Sequence, residues 1–261
     1  MGSFKNNQMP DGFDHQAFLS IDSTNKEAMR RIEAGAHSGM WITSGEQTGG
    51  RGRGGREWVS SSGNLYSSLI YDCGKDLYTS AQLTFVTTLA VRETIEKFLK
   101  INDIKCKWPN DVLVEGKKIS GILLESFSVG VGKPNYIVIG IGINVAHHPE
   151  LALYESTHIN AHSQNTFSHI EVFYILARKM AQWINIWQSD GFAVIRENWL
   201  QNSKGLGDKI TVRTPESEIV GRFVDLDRDG ALMLEVDNEI KLIHSGDVFF
   251  TKEESANATS D

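Results

Sequence analysis

The segment from Gly50 to Arg56 combines the two residue types best suited to holding an anionic ligand against the backbone. It reads Gly-Arg-Gly-Arg-Gly-Gly-Arg, so four glycines and three arginines share seven positions. Glycine permits unusual backbone angles and close approach to a ligand, and the arginine guanidinium offers a planar fork of donors that fits carboxylate and phosphate. The composition therefore predicts a loop that wraps an anion and becomes ordered when it binds.

Other interpretations of this loop compete. The spacing Gly50-x-Gly52-x-x-Gly55 matches the dinucleotide-binding fingerprint, but that motif must open a helix, and residues 58–64 do not have helical character. A Walker A loop requires Lys-Ser or Lys-Thr after the glycines, and neither follows. An RNA-binding arginine–glycine tract extends through a longer low-complexity segment. A surface loop with solvated arginines stays an alternative when this motif is taken alone.

A second polar cluster surrounds the turn Pro109-Asn110-Asp111. Pro109 fixes the turn, and the next two side chains supply acceptors beside it, although a plain β-turn explains these residues nearly as well. The strand that follows carries Lys118. If the strand face that carries Lys118 is the inward one, this lysine points towards a site. A lysine at the start of a strand is, however, usually solvated. Gly121 on the same strand would let a ligand approach the backbone.

The third cluster is Gly140-Ile141-Gly142-Ile143-Asn144. Its glycines alternate along one face of a strand and leave a flat groove, and the Asn144 amide can donate to or accept from a phosphate or a base. A tightly packed strand explains the same pattern about equally well. The segment Ser23-Thr24-Asn25 is at least a helix cap.

Short helices and strands must position these clusters. Capping patterns mark three helix starts, at Thr24/Glu27, Thr79/Gln82 and Ser168/Glu171. Helices are expected over 24–35, 79–99, 168–187 and 192–199, and strands over 41–44, 65–71, 105–108, 112–114, 119–125 and 136–145. This order predicts an α/β (α+β) fold, in which a mixed β-sheet is flanked by helices.

The pattern changes after Gly205. Five short strands are expected over 210–213, 219–224, 231–236, 240–243 and 248–250, separated by turn signals at Pro215-Glu216, Asp229-Gly230 and Asp237-Asn238. So many short strands in so short a stretch indicate a small barrel. We expect a flexible leader over 1–14, a large domain over 15–204, the barrel over 205–252 and a disordered tail over 253–261.

Composition limits the partners and the compartment. The 261 residues carry a formal net charge of −7, which is unfavourable for broad nucleic-acid binding. The two cysteines form no disulfide framework, and the longest apolar run, over 137–145, is far shorter than the ~20 residues of a membrane-spanning helix. The beginning of the chain also lacks the apolar stretch of a signal peptide. We therefore expect a cytoplasmic protein with no membrane partner.

In their order and spacing, the clusters together resemble the biotin–protein ligase family. The matching segments are Ser23-Thr24-Asn25, Gln47 with Gly50 to Arg56 and Trp58, Lys107 to Asp111, Lys118 with Gly121 to Glu125, and Gly140 to Asn144. The resemblance covers most of residues 20–250, and it implies that the small C-terminal barrel is SH3-like. Each motif alone is weak, but their ordered conjunction is specific.

The resemblance implies a two-step, ATP-dependent reaction. Biotin's carboxylate attacks the α-phosphate of ATP to give biotinoyl-5′-AMP, and a lysine amine of a biotin carboxyl carrier protein then attacks this mixed anhydride. The carrier would belong to acetyl-CoA carboxylase or a related biotin-dependent carboxylase. Mg²⁺ is expected because it offsets the triphosphate charge, and it would be held mainly by the phosphates. Family members often pair sheet to sheet, so a homodimer is one expectation.

The resemblance also carries roles onto matched positions. Biotin contacts are expected from Ser23, Thr24, Asn25, Gln47, Gly50, Arg51, Gly52, Arg53, Lys118 and Gly121. Nucleotide contacts are expected from Arg56, Trp58, Asn110, Asp111 and Asn144. The catalytic residues would be Lys118, which pairs with the biotin carboxylate, and Arg51 and Arg53, which fold over biotin and hold the adenylate.

Two departures from the family pattern affect these expectations. Gly54 stands where some members carry another arginine, so we expect a more mobile loop. About twenty residues precede Ser23, too few for the winged-helix domain of many bacterial relatives, so we expect no DNA partner and no repressor role. The alternatives are a lipoate–protein ligase, which has a similar fold and chemistry, and a ligand sensor or nucleic-acid module without turnover.

Overall fold

The computed structural model describes residues 8–72, 74, 76–128, 130, 135–150 and 155–250. Its helices are α1 (Thr24–Glu33), α2 (Leu77–Ala81), α3 (Leu83–Glu96), α4 (His169–Asp190) and α5 (Phe192–Gln201). Its strands are β1 (Asp14–Phe18), β2 (Met40–Ser44), β3 (Leu65–Tyr71), β4 (Ile104–Lys107), β5 (Asp111–Val114), β6 (Lys117–Ser128), β7 (Asn135–Ile143), β8 (Lys209–Arg213), β9 (Glu218–Leu226), β10 (Leu232–Val236), β11 (Glu239–Ile243) and β12 (Asp247–Phe250). Residues 1–7 of the predicted leader and the predicted tail lie outside the described residues, and the domain bounds stay predictions.

Seven strands form one mixed sheet in the order β1-β2-β3-β7-β6-β5-β4. The β1–β2 pair is parallel, and the other neighbours are antiparallel. On one face α3 and α4 enclose the main core, which includes Val86, Leu89, Phe173 and Leu176. On the other face α1 packs through Ala28 and Ile32 against Ile42, Ile70 and Val138. This mixed sheet flanked by helices confirms the predicted fold class.

The register of the central strands brings the predicted clusters together. In the β6–β7 pair Gly121 lies opposite Gly142, and in the β5–β6 pair Asp111 lies opposite Gly121. Three strands therefore present Asp111, Gly121 and Gly142 side by side. The two glycines are 21 positions apart along the chain, but strand pairing makes them neighbours.

The last five strands form a separate antiparallel sheet in the order β11-β10-β9-β8-β12. Strands β8 to β11 pair consecutively, and β12 returns to pair with β8, which gives the predicted SH3-like arrangement. Aromatic contacts join this sheet to the larger core, since the Trp199 ring lies 5.4 Å from Phe85 and 6.5 Å from Phe223. Trp108 Nε1 also donates to the Gly230 carbonyl at 3.2 Å.

One capping prediction is confirmed and two are wrong. Ser168 and Glu171 form the expected box at the start of α4. At α1 the cap is Ser23, whose hydroxyl accepts from Lys26 N, because the Thr24 hydroxyl is directed to Gln47 instead. The predicted helix over 79–99 is two helices, of which the first is capped by Asp76 and the second begins at Leu83.

Strand β1 was not predicted, and it pairs in parallel with β2 at the edge of the large sheet. Its residues, Asp14–Phe18, lie within or beside the predicted leader. Met9 and Phe13 pack against the main core, so the described part of that leader is attached to the domain. Among the helices that the structure describes, none combines the length and apolarity needed to cross a bilayer.

Candidate active site

A cavity of about 520 Å³ lies where the arginine–glycine loop covers the ends of β5, β6 and β7. Its wall contains the predicted site residues Ser23, Thr24, Asn25, Gln47, Arg51, Gly52, Arg53, Arg56, Trp58, Asn110, Asp111, Lys118, Gly121 and Asn144. The large sheet, the start of α1 and the first residues of β12 all contribute to this wall. Residues distant in sequence therefore meet around one space large enough for a small molecule.

One end of the cavity is a neutral hydrogen-bonding network. Thr24 donates to Gln47 Oε1 through its backbone N–H at 2.8 Å and through its hydroxyl at 3.1 Å. Gln47 Nε2 donates to the Ser60 hydroxyl at 3.0 Å. The Gln47 amide is thus fixed in orientation by partners on both sides. Such a fixed set of donors and acceptors suits recognition of an uncharged polar ring.

Asn25 extends this network across the sheet. Its Oδ1 accepts from the Ser68 hydroxyl at 2.6 Å, and its Nδ2 donates to Glu125 Oε2 at 2.7 Å. Gly140 lies directly beneath the amide, and a Cβ at that position would overlap Asn25 Oδ1. The absence of a side chain at Gly140 is therefore what admits Asn25. Glu125 is not among the predicted site residues, although it stands in one of the matched segments.

The arginine–glycine loop is folded over the cavity. Arg51 Nη2 lies 3.1 Å from both Glu125 carboxylate oxygens, and Arg53 donates to Asn110 Oδ1 at 3.4 Å. The backbone turns between Gly52 N and the Arg56 carbonyl, which are 2.7 Å apart. Gly54 has a φ of +64°, in the left-handed region, so an arginine at this position would be strained. The greater mobility expected from Gly54 stays a prediction.

Gly50 is the predicted biotin contact that the structure does not place in the cavity wall. A Cβ there would lie 2.5 Å from Ser60 Oγ and 2.6 Å from the Trp58 carbonyl oxygen. Trp58 N donates to the Gly50 carbonyl at 3.1 Å. Gly50 therefore lets the two ends of the loop approach closely behind the wall, and its predicted contact with biotin stays a prediction.

The Trp58 indole lies across the paired glycines of β6 and β7. A Cβ on Gly142 would lie 2.5 Å from Trp58 Cε2, and one on Gly121 would lie 2.9 Å from Trp58 Cζ3. Trp58 Nε1 is buried and has no acceptor among the described residues. The flat groove predicted from the glycines therefore exists, and in this structure the indole covers part of it.

The other end of the cavity is cationic. Lys118 Nζ lies 2.7 Å from Asp111 Oδ1 and 5.5 Å from the centroid of the Trp58 ring. Asp111 is 7% exposed, so its carboxylate depends on this lysine for charge compensation. Lys118 therefore points into the site, which decides between the two orientations left open by the sequence.

Lys107 also lies in the cavity wall, although it is not among the predicted site residues. Burial lowers the pKa of Lys107 below its ordinary value, while the Asp111 carboxylate acts in the opposite direction. Its ammonium lies 5.9 Å from the rings of Phe249 and Phe250 on β12. No local pattern distinguishes this lysine from a solvated one, because its burial depends on a strand some 140 residues away.

Asn110 and Asn144, the asparagines predicted on the nucleotide side, hold the backbone in place at the cationic end. Asn110 Nδ2 donates to the Ile122 carbonyl at 2.7 Å, and Ile122 N donates back to the Asn110 carbonyl at 3.0 Å. Asn144 Nδ2 donates to the Thr157 carbonyl at 3.0 Å. Both side chains remain in the cavity wall. The described residues contain no group of three His, Cys, Asp or Glu side chains that could hold a metal ion by themselves.

The geometry suits a reaction between two anions. A neutral end and a cationic end are joined by the flat strip over Gly121 and Gly142. Arg53, Arg56, Lys107 and Lys118 line the cationic part. Fixed positive charge there can offset negative charge that develops when a carboxylate meets a phosphate.

Comparisons with known proteins agree with this geometry. Residues 17–144 match the biotin/lipoate A/B protein ligase family, and residues 205–251 match the biotin protein ligase C-terminal domain. A biotin–[acetyl-CoA-carboxylase] ligase of Paracoccus denitrificans is 35% identical over 235 residues, covering 88% of this chain and 97% of that protein. The bifunctional ligase/repressor BirA of Escherichia coli is 30% identical over 238 residues, covering 87% of this chain and 71% of BirA.

Solved structures show the same relationship. The biotin protein ligase of Aquifex aeolicus in complex with biotin and ATP superposes with a TM-score of 0.77 at 27% identity, covering 90% of this chain and 97% of that one. A biotin protein ligase of Leishmania major with biotinyl-5-AMP has a TM-score of 0.64 at 23% identity, which supports the fold alone. The motifs, the cavity and both matched domains lead to one conclusion: this chain belongs to the biotin–protein ligase family.

Proposed function

We propose that this protein is an ATP-dependent ligase that activates biotin as biotinoyl-5′-AMP and transfers it to one lysine of a biotin carboxyl carrier domain. The carrier belongs to acetyl-CoA carboxylase or a related carboxylase, as the name of the Paracoccus relative suggests. The observation that carries the proposal is the two-ended cavity, in which the neutral network of Thr24 and Gln47 is joined to a cationic end at Lys118.

In the first step a biotin carboxylate oxygen attacks the α-phosphorus of ATP. The new P–O bond forms as the bond from the α-phosphorus to the bridging oxygen breaks, and pyrophosphate leaves with that oxygen. Arg51 and Arg53 fold over biotin and hold the adenylate. The other proposed biotin contacts are Ser23, Thr24, Asn25, Gln47, Gly50, Gly52 and Gly121. Lys118 pairs with the carboxylate and reduces its repulsion from the phosphate.

The nucleotide occupies the cationic end in this proposal. Arg56 contacts phosphate, Trp58 contacts adenine, and Asn110, Asp111 and Asn144 complete that side. Mg²⁺, when bound with ATP, offsets the charge on the leaving pyrophosphate. Asp111 supplies a hard carboxylate oxygen in the wall, but Lys118 Nζ lies 2.7 Å from its Oδ1, so the phosphates would be the main ligands of the ion.

In the second step the carrier lysine, as a neutral amine, attacks the carbonyl carbon of the mixed anhydride. The C–N bond forms, the C–O bond to phosphate breaks, and AMP leaves while the amine loses a proton. No covalent enzyme intermediate is required. Cys106 supports this point, since it is completely buried and burial raises the pKa of its thiol to about 12, which leaves it no thiolate at neutral pH.

We also propose a cytoplasmic location, no DNA or membrane partner, and a homodimer. The edge of β6 supports pairing of two copies, because β5 pairs with β6 only between Lys117 and Gly121. The β6 backbone beyond Ile122 has no strand on that side within the described part of the chain. A second copy could add a strand there. Analytical ultracentrifugation should show a dimer at micromolar concentration, and a monomer throughout would contradict the pairing.

The test of function is transfer of labelled biotin or lipoate to a carrier domain with ATP and Mg²⁺. We expect biotin incorporation alone, and none into a carrier whose acceptor lysine is arginine. Incorporation of lipoate but not biotin would instead identify a lipoate ligase. Absence of pyrophosphate release from folded protein supplied with biotin and ATP would identify a sensor without turnover.

A further inference from the structure

The arginine–glycine loop is attached to the small C-terminal barrel as well as to the large sheet. Arg56 forms two hydrogen bonds to the Asp247 carboxylate, both at 3.0 Å. Arg53 Nη2 donates to the Ser245 hydroxyl at 3.2 Å. The residues that join the loop to the barrel are separated by about 190 positions in the sequence. The barrel thus contributes directly to the position of the loop over the cavity.

The barrel residues that receive these arginines are themselves held firmly. Asp247 lies opposite Arg213 in the β8–β12 ladder. Gly246, between the two receiving residues, packs so closely that a Cβ there would lie 2.9 Å from the Val212 side chain and 3.0 Å from the Arg213 carbonyl oxygen. The turn before β12 therefore offers fixed acceptors, in contrast to a mobile side chain on an open surface.

The contact between the barrel and the large domain is also close. Trp108 Nε1 donates to the Gly230 carbonyl, and a Cβ on Gly230 would lie 2.5 Å from the Phe85 ring. The barrel consequently cannot move away from the loop without disturbing buried aromatic packing. A carboxylate on such a fixed support can hold a guanidinium in place before any ligand arrives.

We propose that Ser245 and Asp247 form a seat on the barrel that holds the arginine–glycine loop in its closed position. Asp247 presents two oxygens to Arg56 much as a phosphate would, so it is a positioning residue that keeps the guanidinium aligned towards the cavity. The kinetic consequence of this seat rests on the function proposed above, but its effect on the loop does not.

Limited trypsin digestion tests the seat without any substrate. Trypsin cleaves after arginine, so cleavage after Arg51, Arg53 and Arg56, measured by mass spectrometry, reports how often the loop opens. The Arg56–Asp247 pair is partly exposed, with side chains 42% and 35% accessible, so its loss should increase the opening about threefold. We expect this acceleration in Asp247→Ala and Asp247→Asn, and restoration towards the original rate in Asp247→Glu.

A matched control exists in the same barrel. Arg222 donates twice to Glu235 Oε2, at 2.9 and 2.6 Å, across strands β9 and β10. Glu235→Gln removes an ion pair of similar kind without touching the loop, so cleavage after Arg51, Arg53 and Arg56 should stay at the original rate. Equally accelerated cleavage of the loop in this control, or no acceleration of cleavage in Asp247→Ala, would contradict the proposal that Asp247 holds the loop.

Steady-state kinetics then distinguish a role of Asp247 in holding the loop from simple repulsion between the Asp247 carboxylate and ATP. Because Asp247 lies in the cavity wall, removal of a carboxylate that merely repels ATP would lower the KM for ATP. A seat predicts the opposite, a KM for ATP about threefold higher with kcat nearly unchanged. A lower KM in Asp247→Asn would therefore also overturn the proposal. If no biotin-dependent turnover exists, the proposed function fails, while the digestion result still decides whether the loop is seated on the barrel.

Discussion

Gly140 and Gly142 lie two residues apart on β7, yet alanine should have different effects at the two positions. A Cβ on Gly142 would lie 2.5–2.7 Å from three atoms of the Trp58 indole, whereas one on Gly140 would meet the Asn25 amide. Ordinary carbon contacts are about 3.5–4.0 Å, so either neighbour must move by about 1 Å. The outcome depends on whether that neighbour is free to move.

Trp58 can move and Asn25 cannot. Trp58 follows the arginine–glycine loop by two residues and is only partly buried, so Gly142→Ala should displace the indole and change the melting temperature by less than about 2 °C. Loss of the ordered indole should raise the KM for ATP roughly tenfold, which corresponds to about 1.4 kcal/mol of lost aromatic contact. Asn25 is 4% exposed and bound to Ser68 and Glu125. Gly140→Ala should therefore cost about 1–3 kcal/mol of stability, or about 2–12 °C.

Thermal unfolding and steady-state biotinylation kinetics would be measured for both variants. Ile139→Val is the matched control on the same strand, because it removes one core methyl group and should cost about 1 kcal/mol without changing either KM. The reasoning would be refuted if Gly142→Ala lowered the melting temperature as much as Gly140→Ala. An unchanged KM for ATP in Gly142→Ala would remove Trp58 from the nucleotide side.

Three further variants test other parts of the account. Lys118→Ala should reduce biotin-dependent pyrophosphate release at least tenfold, because it removes the cation beside the reacting carboxylate and the ion-pair partner of Asp111, and an unchanged rate would place Lys118 outside the reaction. Arg53→Gly should loosen the loop and release biotinoyl-5′-AMP, so unrelated proteins in the mixture become labelled, and labelling confined to the carrier at the normal rate would contradict its role. Burial raises the pKa of Cys106 from 9.0 to about 12, so the stability this thiol provides is present below pH 9 and is lost as pH rises. Denaturant unfolding should thus show wild type losing about 1.4 kcal/mol more than Cys106→Ala between pH 7 and pH 10, and equal losses would contradict the shift.

The elements predicted best are those whose signals are local. The box of Ser168 and Glu171 starts α4 because both partners lie within one helical turn. The break between α2 and α3 was missed because the Gln82 side chain, expected to cap a helix, accepts instead from Trp187 Nε1 at 2.9 Å. Strand β1 was missed because its polar sequence becomes a strand only through pairing with β2. These contacts are long-range, and no local pattern encodes them.

The residues of the candidate site divide in the same way, into those with a local signal and those that depend on a distant partner. The motifs identified residues that line the cavity, because their types suit anion binding and their order matches the family. Glu125, Lys107 and Asp247 received no role, since each becomes meaningful only through a distant partner. Arg51 meets Glu125 across 74 positions of sequence, and Arg56 meets Asp247 across 191. Gly50 also lets the ends of the loop approach each other, a packing role that no local pattern predicts, and its contact with biotin stays a prediction.

The most direct measurement is the mass of what the protein retains after reaction with biotin and ATP–Mg²⁺ in the absence of a carrier. After rapid gel filtration, native mass spectrometry should show the protein with one bound biotinoyl-5′-AMP, and denaturation should return the unmodified chain mass. Addition of a carrier domain should then convert the retained intermediate into biotinylated carrier and AMP. A covalent adduct that survives denaturation, or no retained adenylate at all, would contradict the account.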